Sequence, residues 1–284
     1  MYIEITNVCN LDCDFCPKTT RKSQFMTLNE LEHILSKISD FSKNIFFHVM
    51  GEPLLHKELG SFLELAYKKG MNVNITTNGT MLGVKEVVDT LINAKSLKKI
   101  NVSLHSFDAN KENKYTTDYF KNIFCFLDRI ENEAKIQVSL RLWDINNNKD
   151  RENKFKLLKA LQERYKLEYE IKEELSNTKG LKLKEKTYLN QANKFEWPSL
   201  ECGVLSNNGF CYGLRNQIAI LVNGDVVPCC LDGQGIMVLG NIFKDELETI
   251  LNGKRARDIY DGFSRRIAVE EMCKRCGYKE RFSK

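Results

Sequence analysis

Three cysteines near the N-terminus, Cys9, Cys13 and Cys16, stand in the spacing C-x3-C-x2-C. Cysteine thiolates hold iron–sulfur clusters, and four of them complete the protein ligation of a [4Fe–4S] cluster. Three thiolates on one short loop therefore predict a cluster in which one iron stays open for an outside ligand, much as catalytic zinc sites keep an open position. A zinc site or chemically unrelated cysteines are the alternatives, but the spacing lacks the paired C-x2-C halves of many zinc sites.

A second set of cysteines lies in the C-terminal third of the chain: Cys211, Cys229 and the pair Cys273-x2-Cys276. Four thiolates, two of them on one tight turn, can close a whole [4Fe–4S] site. A structural zinc site is the alternative. Cys230 adjoins Cys229 and competes with it as a ligand, but side chains alternate along a strand, so the two cannot both face one cluster.

The composition indicates a soluble globular protein, since 42% of the 284 residues are hydrophobic and 29% are charged. Lys and Arg exceed Asp and Glu by 43 to 38, which is too small an excess to indicate direct nucleic-acid binding. The sequence has no run of about 18 apolar residues and no secretory signal. We therefore expect a cytoplasmic protein without a membrane partner, in which the ten cysteines serve metal or redox chemistry rather than disulfides.

The elements that must position the first cysteines alternate along the first half of the chain. Short apolar segments predict strands over 2–6, 45–50, 73–77, 100–104 and 136–142. Helical patterns lie between them, over 28–41, 58–69, 84–94 and 116–130. Thr27 and Glu30 form a capping box at the first helix, and Cys125 falls on the apolar stripe of the last one and is predicted to lie in the core. The alternation predicts an α/β fold with right-handed crossovers and a parallel sheet buried on both faces.

The second half of the chain is first polar and then rich in cysteine. Helices are predicted over 151–164, 185–194 and 245–252, and a strand over 167–171. Asn223-Gly224, between two apolar runs, is the strongest hairpin signal in the sequence. We expect two domains, a larger one over 1–195 and a smaller one over 196–284.

The cysteine loop after the first strand resembles that of the radical S-adenosylmethionine (radical SAM) superfamily. The resemblance implies a partial (β/α)6 barrel of the TIM type, with SAM bound to the open iron of a [4Fe–4S] cluster. Phe15, just ahead of the third cysteine, matches the aromatic residue that the family places beside the adenine. Met50-Gly51-Glu52-Pro53 is similar to the family's Gly-Gly-Glu element, which binds the methionine amino group, although Met50 replaces the first glycine. A plain strand-to-helix turn is the alternative for this segment.

Polar residues follow the later predicted strands. By the same resemblance, Thr77 and Asn78 line the SAM cleft, Ser103 approaches the ribose, and Arg141 meets the SAM carboxylate. Polar side chains at the carboxyl ends of parallel strands converge on the site of an α/β barrel. Turn capping is the alternative for each of them.

The second set of cysteines also carries a resemblance. Cys211, Gly224-x4-Cys229 and Cys273-x2-Cys276 resemble the twitch domain, a short form of the SPASM domain of radical SAM enzymes. The resemblance implies one auxiliary [4Fe–4S] cluster, because no C-x5-C-x3-C continuation follows, and the position of Gly224 favours Cys229 over Cys230. Two [4Fe–4S] clusters are therefore expected in the chain.

The chemistry that the resemblance implies begins with one electron from a donor such as flavodoxin or ferredoxin. SAM is cleaved to methionine and a 5′-deoxyadenosyl radical, which abstracts hydrogen from a substrate. His105 and His48 are the candidate catalytic residues that contact the substrate. Because the first cluster cysteine is residue 9, no leader-peptide recognition domain fits ahead of the barrel, and we expect a small-molecule substrate.

Three further segments resemble a twitch-bearing group that includes queuine lyase: FEWP at 195–198, GFCYGLR at 209–215 and YDGFSRR at 260–266. This resemblance predicts that queuine is cut to 7-aminomethyl-7-deazaguanine for salvage. A cyclitol or sugar dehydrogenase of the butirosin type, an enzyme that modifies a ribosomal peptide, and a non-enzymatic zinc module are the alternatives. Arginine and aromatic side chains suit flat heterocycles, and packing or surface ion pairing is their alternative role. The candidate substrate residues are Phe210, Tyr212, Arg215, Asp232 and Arg265.

Overall fold

The chain folds into two compact units in a computed structural model that describes residues 1–106, 118–144, 148–178, 180–193 and 196–282. The first, here called the terminal unit, comprises Met1–Asn10, Phe15–Val73 and Phe195–Lys284. The second, the central unit, comprises Leu11–Asp14 and Asn74–Lys194. The two ends of the chain therefore belong to the same unit.

The elements are as follows. The strands are β1 (Tyr2–Ile3), β2 (Asn44–Phe47), β3 (Asn72–Thr77), β4 (Leu97–Ser103), β5 (Gln137–Asp144), β6 (Gly180–Lys182), β7 (Thr187–Asn193), β8 (Ala219–Ile220), β9 (Asp225–Val227) and β10 (Gly240–Asn241). The helices are α1 (Leu28–Ile38), α2 (Leu59–Lys68), α3 (Lys85–Asn93), α4 (Tyr119–Glu133), α5 (Asn148–Tyr165), α6 (Ile171–Asn177), α7 (Leu247–Leu251), α8 (Lys254–Ser264) and α9 (Glu271–Lys274). Within the described ranges, no helix combines the length and the apolar character needed to cross a membrane.

In the terminal unit, β1 is the strand that joins the beginning of the chain to its end. It is parallel to both of its neighbours, β2 and β8, so that Tyr2 lies opposite Phe46 on one side and Ala219 on the other. β8 pairs with β9, and β9 with β10, in antiparallel fashion. The hairpin predicted at Asn223-Gly224 therefore extends the sheet whose first strand leads into the cysteine loop.

Helix α1 is fixed at both ends. At its start, the Glu30 N–H donates to Thr27 Oγ1 over 3.3 Å, and the Thr27 N–H donates to Glu30 Oε2 over 2.7 Å, which is the predicted capping box. At its end, Lys37 Nζ donates to the carbonyl oxygens of Ile242 and Asp245 over 3.0 and 2.8 Å. The helix that follows the cysteine loop is thus tied to the segment after β10.

The central unit has the strand order β3-β4-β5-β7-β6. β4, β5 and β7 are parallel, and β6 is antiparallel to β7. One face of this sheet carries fully buried apolar residues such as Val102 and Leu140, as expected for strands covered by helices. The other face alternates with it and is polar, with half-buried residues such as Asn101, Ser103 and Arg141. The sheet of this unit therefore has one apolar, fully buried face and one polar, partly buried face.

Three local predictions are also wrong. The segment 185–194 forms strand β7 rather than a helix, because Thr187, Leu189 and their alternate neighbours bury one side of an extended segment that pairs with β5. No strand forms over 167–171, since β7 already occupies that edge of β5 and α6 begins at Ile171. Cys125 is exposed on α4 rather than in the core, because the buried stripe of that helix runs through residues such as Ile123 and Phe126.

Candidate iron–sulfur sites

The first cysteine loop connects β1 to α1, and its two ends are clamped by buried polar side chains. Thr6 Oγ1 donates to the Gln24 carbonyl over 2.8 Å and accepts the Val8 N–H over 3.0 Å. Asn7 binds the other end twice, through Nδ2 to the Lys22 carbonyl at 2.9 Å and through Oδ1 from the Gln24 N–H at 2.8 Å. The stem of the loop is thereby fixed. Of its three cysteines, Cys9 is exposed, Cys16 is half-buried and Cys13 is buried.

The Gly51-Glu52 turn is bound directly to this stem. The Glu52 N–H donates to the Val8 carbonyl over 2.8 Å, one residue before Cys9. Gly51 has φ 74°, and a Cβ there would lie 2.4 Å from the Thr6 carbonyl oxygen, so that only glycine permits this approach of two backbones. The buried Glu52 carboxylate caps the next turn through the Leu54 N–H at 3.0 Å. The turn-capping role considered for this segment is present, and it places Glu52 beside the cysteine loop.

In the central unit, Thr77 and Asn78 are buried and cap the turn after β3. Thr77 Oγ1 accepts the Gly79 N–H at 2.9 Å, and Asn78 Oδ1 accepts the Thr80 N–H at 2.9 Å. Tyr119 donates its hydroxyl to the Asn78 carbonyl over 2.7 Å. These bonds stabilise the turn, and they explain why a threonine and an asparagine stand at positions 77 and 78.

Ser103 and Arg141 are brought together by the sheet. They are register partners on the parallel strands β4 and β5, so their side chains leave the same face. Asn190 on β7 is the register partner of Arg141 on its other side. Sequence reasoning missed Asn190 because it placed that segment in a helix. The polar row across three strands is Ser103, Arg141 and Asn190.

His105 follows β4 and is almost fully buried. Its ring stacks on Trp143 with centroids 4.1 Å apart and planes within 9°. Nδ1 lies 3.2 Å from the Arg141 carbonyl oxygen, which only accepts hydrogen bonds, so the proton of the neutral ring belongs on Nδ1. Burial lowers the pKa of His105 to about 4, which keeps the ring neutral at neutral pH. His48 lies in the terminal unit, half-buried, with its ring 6.0 Å from that of Tyr2.

In the terminal unit, the second cysteine set surrounds one cavity of about 380 Å³, including its mouth. Cys211, Cys229, Cys273 and Cys276 all line it, whereas Cys230 does not. Cys230 packs instead against the apolar cluster around Met50 and Leu221. The remaining cavity walls are mostly apolar: Pro198, Gln217, Leu231, Met237, Phe263, Met272, Tyr278 and Lys279.

The four cysteines fit an iron–sulfur cluster. Tetrahedral zinc draws four sulfurs to within about 2.3 Å of one point, whereas a cubane cluster holds its thiolates around a larger body. The four thiols that line this cavity match the number that completes the protein ligation of one [4Fe–4S] cluster. Burial raises the pKa of each of the four thiols, and cluster assembly must therefore release their protons.

Lys279 is a charged neighbour of this cavity that sequence reasoning did not single out. Its side chain is buried, and Nζ donates to the carbonyl oxygens of Cys273 and Lys274 over 2.8 and 2.9 Å. The bonds close the loop that carries the Cys273-x2-Cys276 pair. Desolvation lowers the Lys279 pKa, although the nearby cysteines act in the opposite direction.

The candidate substrate residues in the terminal unit serve the packing of its C-terminal part. The Arg215 guanidinium lies over the Tyr260 ring at 4.0 Å and the Phe210 ring at 5.3 Å, and it donates to Ser264 Oγ. Tyr212 is exposed and meets Phe210 edge to face, with centroids 5.0 Å apart. Two of the three segments that carry the narrower sequence resemblance, 209–215 and 260–266, therefore contact each other.

Asp232 and Arg265 lie apart from that aromatic group. Asp232 is fully buried, and its carboxylate accepts the N–H groups of Ile236 and Met237 over 2.8 and 2.7 Å, so it braces its own loop. Arg265 is exposed at the end of α8, and its Nε donates to the Asp261 carbonyl over 3.4 Å. The structure thus gives Asp232 a structural role that its type alone did not indicate.

A buried ion pair in the terminal unit was also missed. Glu4 is fully buried beside β1 and binds Arg21, which follows the cysteine loop. The sequence signal was available, because Glu4 is the charged residue of an otherwise apolar predicted strand, and a buried carboxylate requires a partner.

Comparison with known protein families defines the class. Residues 3–164 match the radical SAM superfamily, and residues 211–277 match the SPASM iron–sulfur cluster-binding domain. The chain therefore belongs to the radical SAM superfamily. Its cofactors are accordingly SAM and a [4Fe–4S] cluster, with auxiliary iron–sulfur ligation in the second matched segment. The fold class predicted from the sequence, a partial TIM-type barrel with a small C-terminal iron–sulfur domain, is confirmed.

Curated relatives match part of the chain. GTP 3′,8-cyclase of Chlorobaculum tepidum is 31% identical over 153 residues, which cover 51% of this chain and 46% of that protein. The GTP 3′,8-cyclase of Thermodesulfovibrio yellowstonii is 32% identical over 181 residues, covering 60% and 53%. The chain thus spans about half the length of the curated relatives it matches.

Solved structures share the fold over nearly the whole chain. BtrN in complex with AdoMet and 2-DOIA aligns with a TM-score of 0.60 and 20% identity, covering 97% of this chain and 91% of that one. The anSMEcpe enzyme with bound AdoMet and the Kp18Cys peptide aligns at 0.61 and 17%, covering 98% and 86%. SuiB of Streptococcus suis, bound to the precursor peptide SuiA, aligns at 0.58 and 17%, covering 100% and 72%.

Proposed function

We propose that this radical SAM enzyme carries one auxiliary [4Fe–4S] cluster and acts on a small polar molecule. The convergence of Cys211, Cys229, Cys273 and Cys276 on a single cavity supports the auxiliary cluster. Cys9, Cys13 and Cys16 are the proposed ligands of the first cluster. With one electron from that cluster, SAM is cleaved to methionine and a 5′-deoxyadenosyl radical that takes hydrogen from the substrate.

The residues of the chain bind and orient SAM in this proposal. Glu52 and Gly51 hold the methionine amino group next to the cysteine loop, to which their backbone is bonded. Pro53 shapes the capped turn that follows. Phe15 lies against the adenine.

Four polar residues of the central unit are further candidates for SAM contact. Ser103 approaches the ribose and Arg141 pairs with the carboxylate, and their shared register supports a common role. Arg141 suits a carboxylate because its guanidinium donates two parallel hydrogen bonds. Thr77 and Asn78 shape the turn beside them.

The polar face of the central sheet supports a small substrate with hydrogen-bonding groups. It carries amides and hydroxyls, such as Asn101 and Ser139, with the His105–Trp143 stack at its end. The buried His105 ring is the first candidate for substrate contact in this proposal. His48 is the second candidate for substrate contact.

Queuine is the substrate to test first, because the chain resembles a twitch-bearing group that includes queuine lyase. The curated relatives are named for GTP, which also contains a guanine ring, so GTP belongs in the same panel. An aminocyclitol and a short peptide represent the dehydrogenase and peptide-modifying alternatives. In the lyase reaction the electron donor is a flavodoxin- or ferredoxin-type protein.

The test is anaerobic incubation of the reconstituted enzyme with SAM, dithionite and each compound. We expect 5′-deoxyadenosine to form and to rise above its background only with the true substrate. With queuine, mass spectrometry would detect 7-aminomethyl-7-deazaguanine; its absence rules out the lyase assignment. Replacing Cys9, Cys13 or Cys16 with alanine should abolish the formation of 5′-deoxyadenosine. The control is Cys125→Ala, which removes an exposed thiol on α4.

A further inference from the structure

In the terminal unit, the Glu4–Arg21 ion pair joins the strand before Cys9 to the segment after Cys16. Arg21 Nη1 and Nη2 donate to Glu4 Oε2 and Oε1 over 2.8 and 2.7 Å, which is a bidentate pair. The Glu4 side chain is fully buried and that of Arg21 is 14% exposed. Bidentate charge-assisted pairs fix both partners in orientation as well as in distance.

Each partner also binds the backbone of a different segment. Glu4 Oε1 accepts the Met50 N–H over 3.2 Å, and Oε2 accepts the Val222 N–H over 3.0 Å. Arg21 Nε donates to the Gly233 carbonyl over 2.9 Å. One ion pair thus connects four places: the strand before Cys9, the segment after Cys16, the residue before Gly51, and the auxiliary-cluster hairpin with its following loop.

The contact of the auxiliary-cluster loop with these segments is close. A Cβ on Gly233 would lie 2.7 Å from the Met50 side chain. The loop therefore packs directly against Met50, the residue before Gly51. Next to it, Gln234 Oε1 accepts the Thr20 N–H over 3.2 Å, and its amide donates to the Lys18 carbonyl. The loop that begins after Cys229 and Cys230 is therefore bound to the end of the first cysteine loop.

We propose that Glu4 and Arg21 are positioning residues that couple the auxiliary-cluster loop to SAM binding at the first cluster. A buried carboxylate with four donors holds Met50, and through it the Gly51-Glu52 turn, at a fixed distance from the cysteine loop. Displacement of the Gly233 carbonyl would weaken the Arg21 anchor and loosen the same turn. Loss of the auxiliary cluster should therefore weaken SAM binding at the first cluster.

The test compares Glu4→Gln and Arg21→Lys with the wild-type protein. The SAM concentration that half-saturates the change in the EPR spectrum of the reduced first cluster is the readout, and it requires no substrate. Since partners that orient metal-site groups change affinity by about 10–100-fold, we expect an increase of about tenfold. Glu133→Gln, which breaks the exposed bidentate pair of Glu133 with Arg129, should leave the value unchanged.

A second arm tests the coupling itself. Replacing Cys273 and Cys276 with alanine should raise the half-saturating SAM concentration in the wild type, but only slightly further in the Glu4→Gln background. Equal increases in both backgrounds would overturn the proposal. A lower melting temperature with unchanged SAM titration would also overturn it, since that result assigns a purely structural role. If Glu4→Gln fails to fold, Arg21→Lys decides by the same two titrations.

Discussion

Glu52 donates its backbone N–H to the carbonyl oxygen of Val8 over 2.8 Å, which fixes the Gly-Glu turn to the residue before Cys9. Gly51 makes this approach possible, because its φ of 74° and its lack of a Cβ let the turn lie against the Thr6 carbonyl. Cysteine ligands and the proposed methionine-binding turn therefore belong to one bonded backbone assembly. Substitutions in the Gly51-Glu52 turn should therefore affect the cluster that these cysteines are proposed to hold.

Gly51→Ala should reduce SAM cleavage strongly. The left-handed conformation costs an L-residue about 1–2 kcal/mol, and the added Cβ would lie 2.4 Å from the Thr6 oxygen, so the turn must move away from the loop. We expect at least about a tenfold loss of 5′-deoxyadenosine formation, as for displaced groups that orient a reaction. Anaerobic single-turnover assays with dithionite would measure it.

Gly70→Ala is the matched control for that change. Gly70 has a similar φ of 67°, but nothing lies within 4 Å of the added Cβ. The variant should lose about 1–2 kcal/mol of stability from backbone strain alone and keep wild-type SAM cleavage. Equal loss of cleavage in both variants would mean that strain, rather than the displaced turn, explains the result.

Cys229→Ala and Cys230→Ala should differ sharply although the residues are adjacent. Only Cys229 lines the four-cysteine cavity, whereas Cys230 packs on the opposite apolar cluster. Cys229→Ala should therefore lose about four irons per chain, the content of one [4Fe–4S] cluster, and Cys230→Ala should retain them. Iron and sulfide analysis together with Mössbauer spectroscopy would measure this.

Zinc in place of iron would contradict the cluster assignment for this cavity. The same analysis detects it, because a zinc site gives no sulfide and no visible absorption. Loss of iron in Cys230→Ala with retention in Cys229→Ala would instead reverse the ligand assignment.

Arg141→Gln should weaken SAM binding with little change in fold. Arg141 is half-buried on the polar face of β5, in register with Ser103, and we propose that it pairs with the SAM carboxylate. Removal of a charged hydrogen-bond partner costs about 1.5–3 kcal/mol, which corresponds to an increase of about 10–100-fold in the SAM dissociation constant. Equilibrium dialysis with the reconstituted protein would measure it, and the control is Lys98→Gln, which changes an exposed residue of β4.

The sequence was sufficient for the capping box of α1 and for most strands, because these depend on local spacing and periodicity. C-x3-C-x2-C needs only one loop, and the Thr27 capping box needs only four residues. Asn190 was missed because its segment is polar, and only pairing with β5 decides between helix and strand. Glu4 stands out in its apolar strand, but its burial, and so its need for Arg21, depends on the pairing of β1 with the distant strand β8.

His105 makes the stability of the protein depend on pH. Burial lowers its folded-state pKa to about 4, whereas an unfolded chain has the ordinary value of about 6.5. The unfolded state therefore binds more protons between these two values, so stability is complete above pH of about 6.5 and is lost as the pH falls toward 4. The stack on Trp143 and the hydrogen bond to the Arg141 carbonyl hold the His105 ring in this buried position.

We therefore expect His105→Gln to flatten the acid side of the stability profile. Between pH 7 and 5 the wild type should lose about 2 kcal/mol more stability than the variant, because protonating the buried ring favours unfolding and glutamine does not titrate. Urea denaturation of the cluster-free protein at the two pH values would measure it, and only the change with pH counts, since the lost ring stack lowers both values. His33→Gln, an exposed histidine on α1, should keep the wild-type slope. An identical slope in His105→Gln and in the wild type would show that His105 is protonated with equal ease in both states, and would contradict the buried neutral ring.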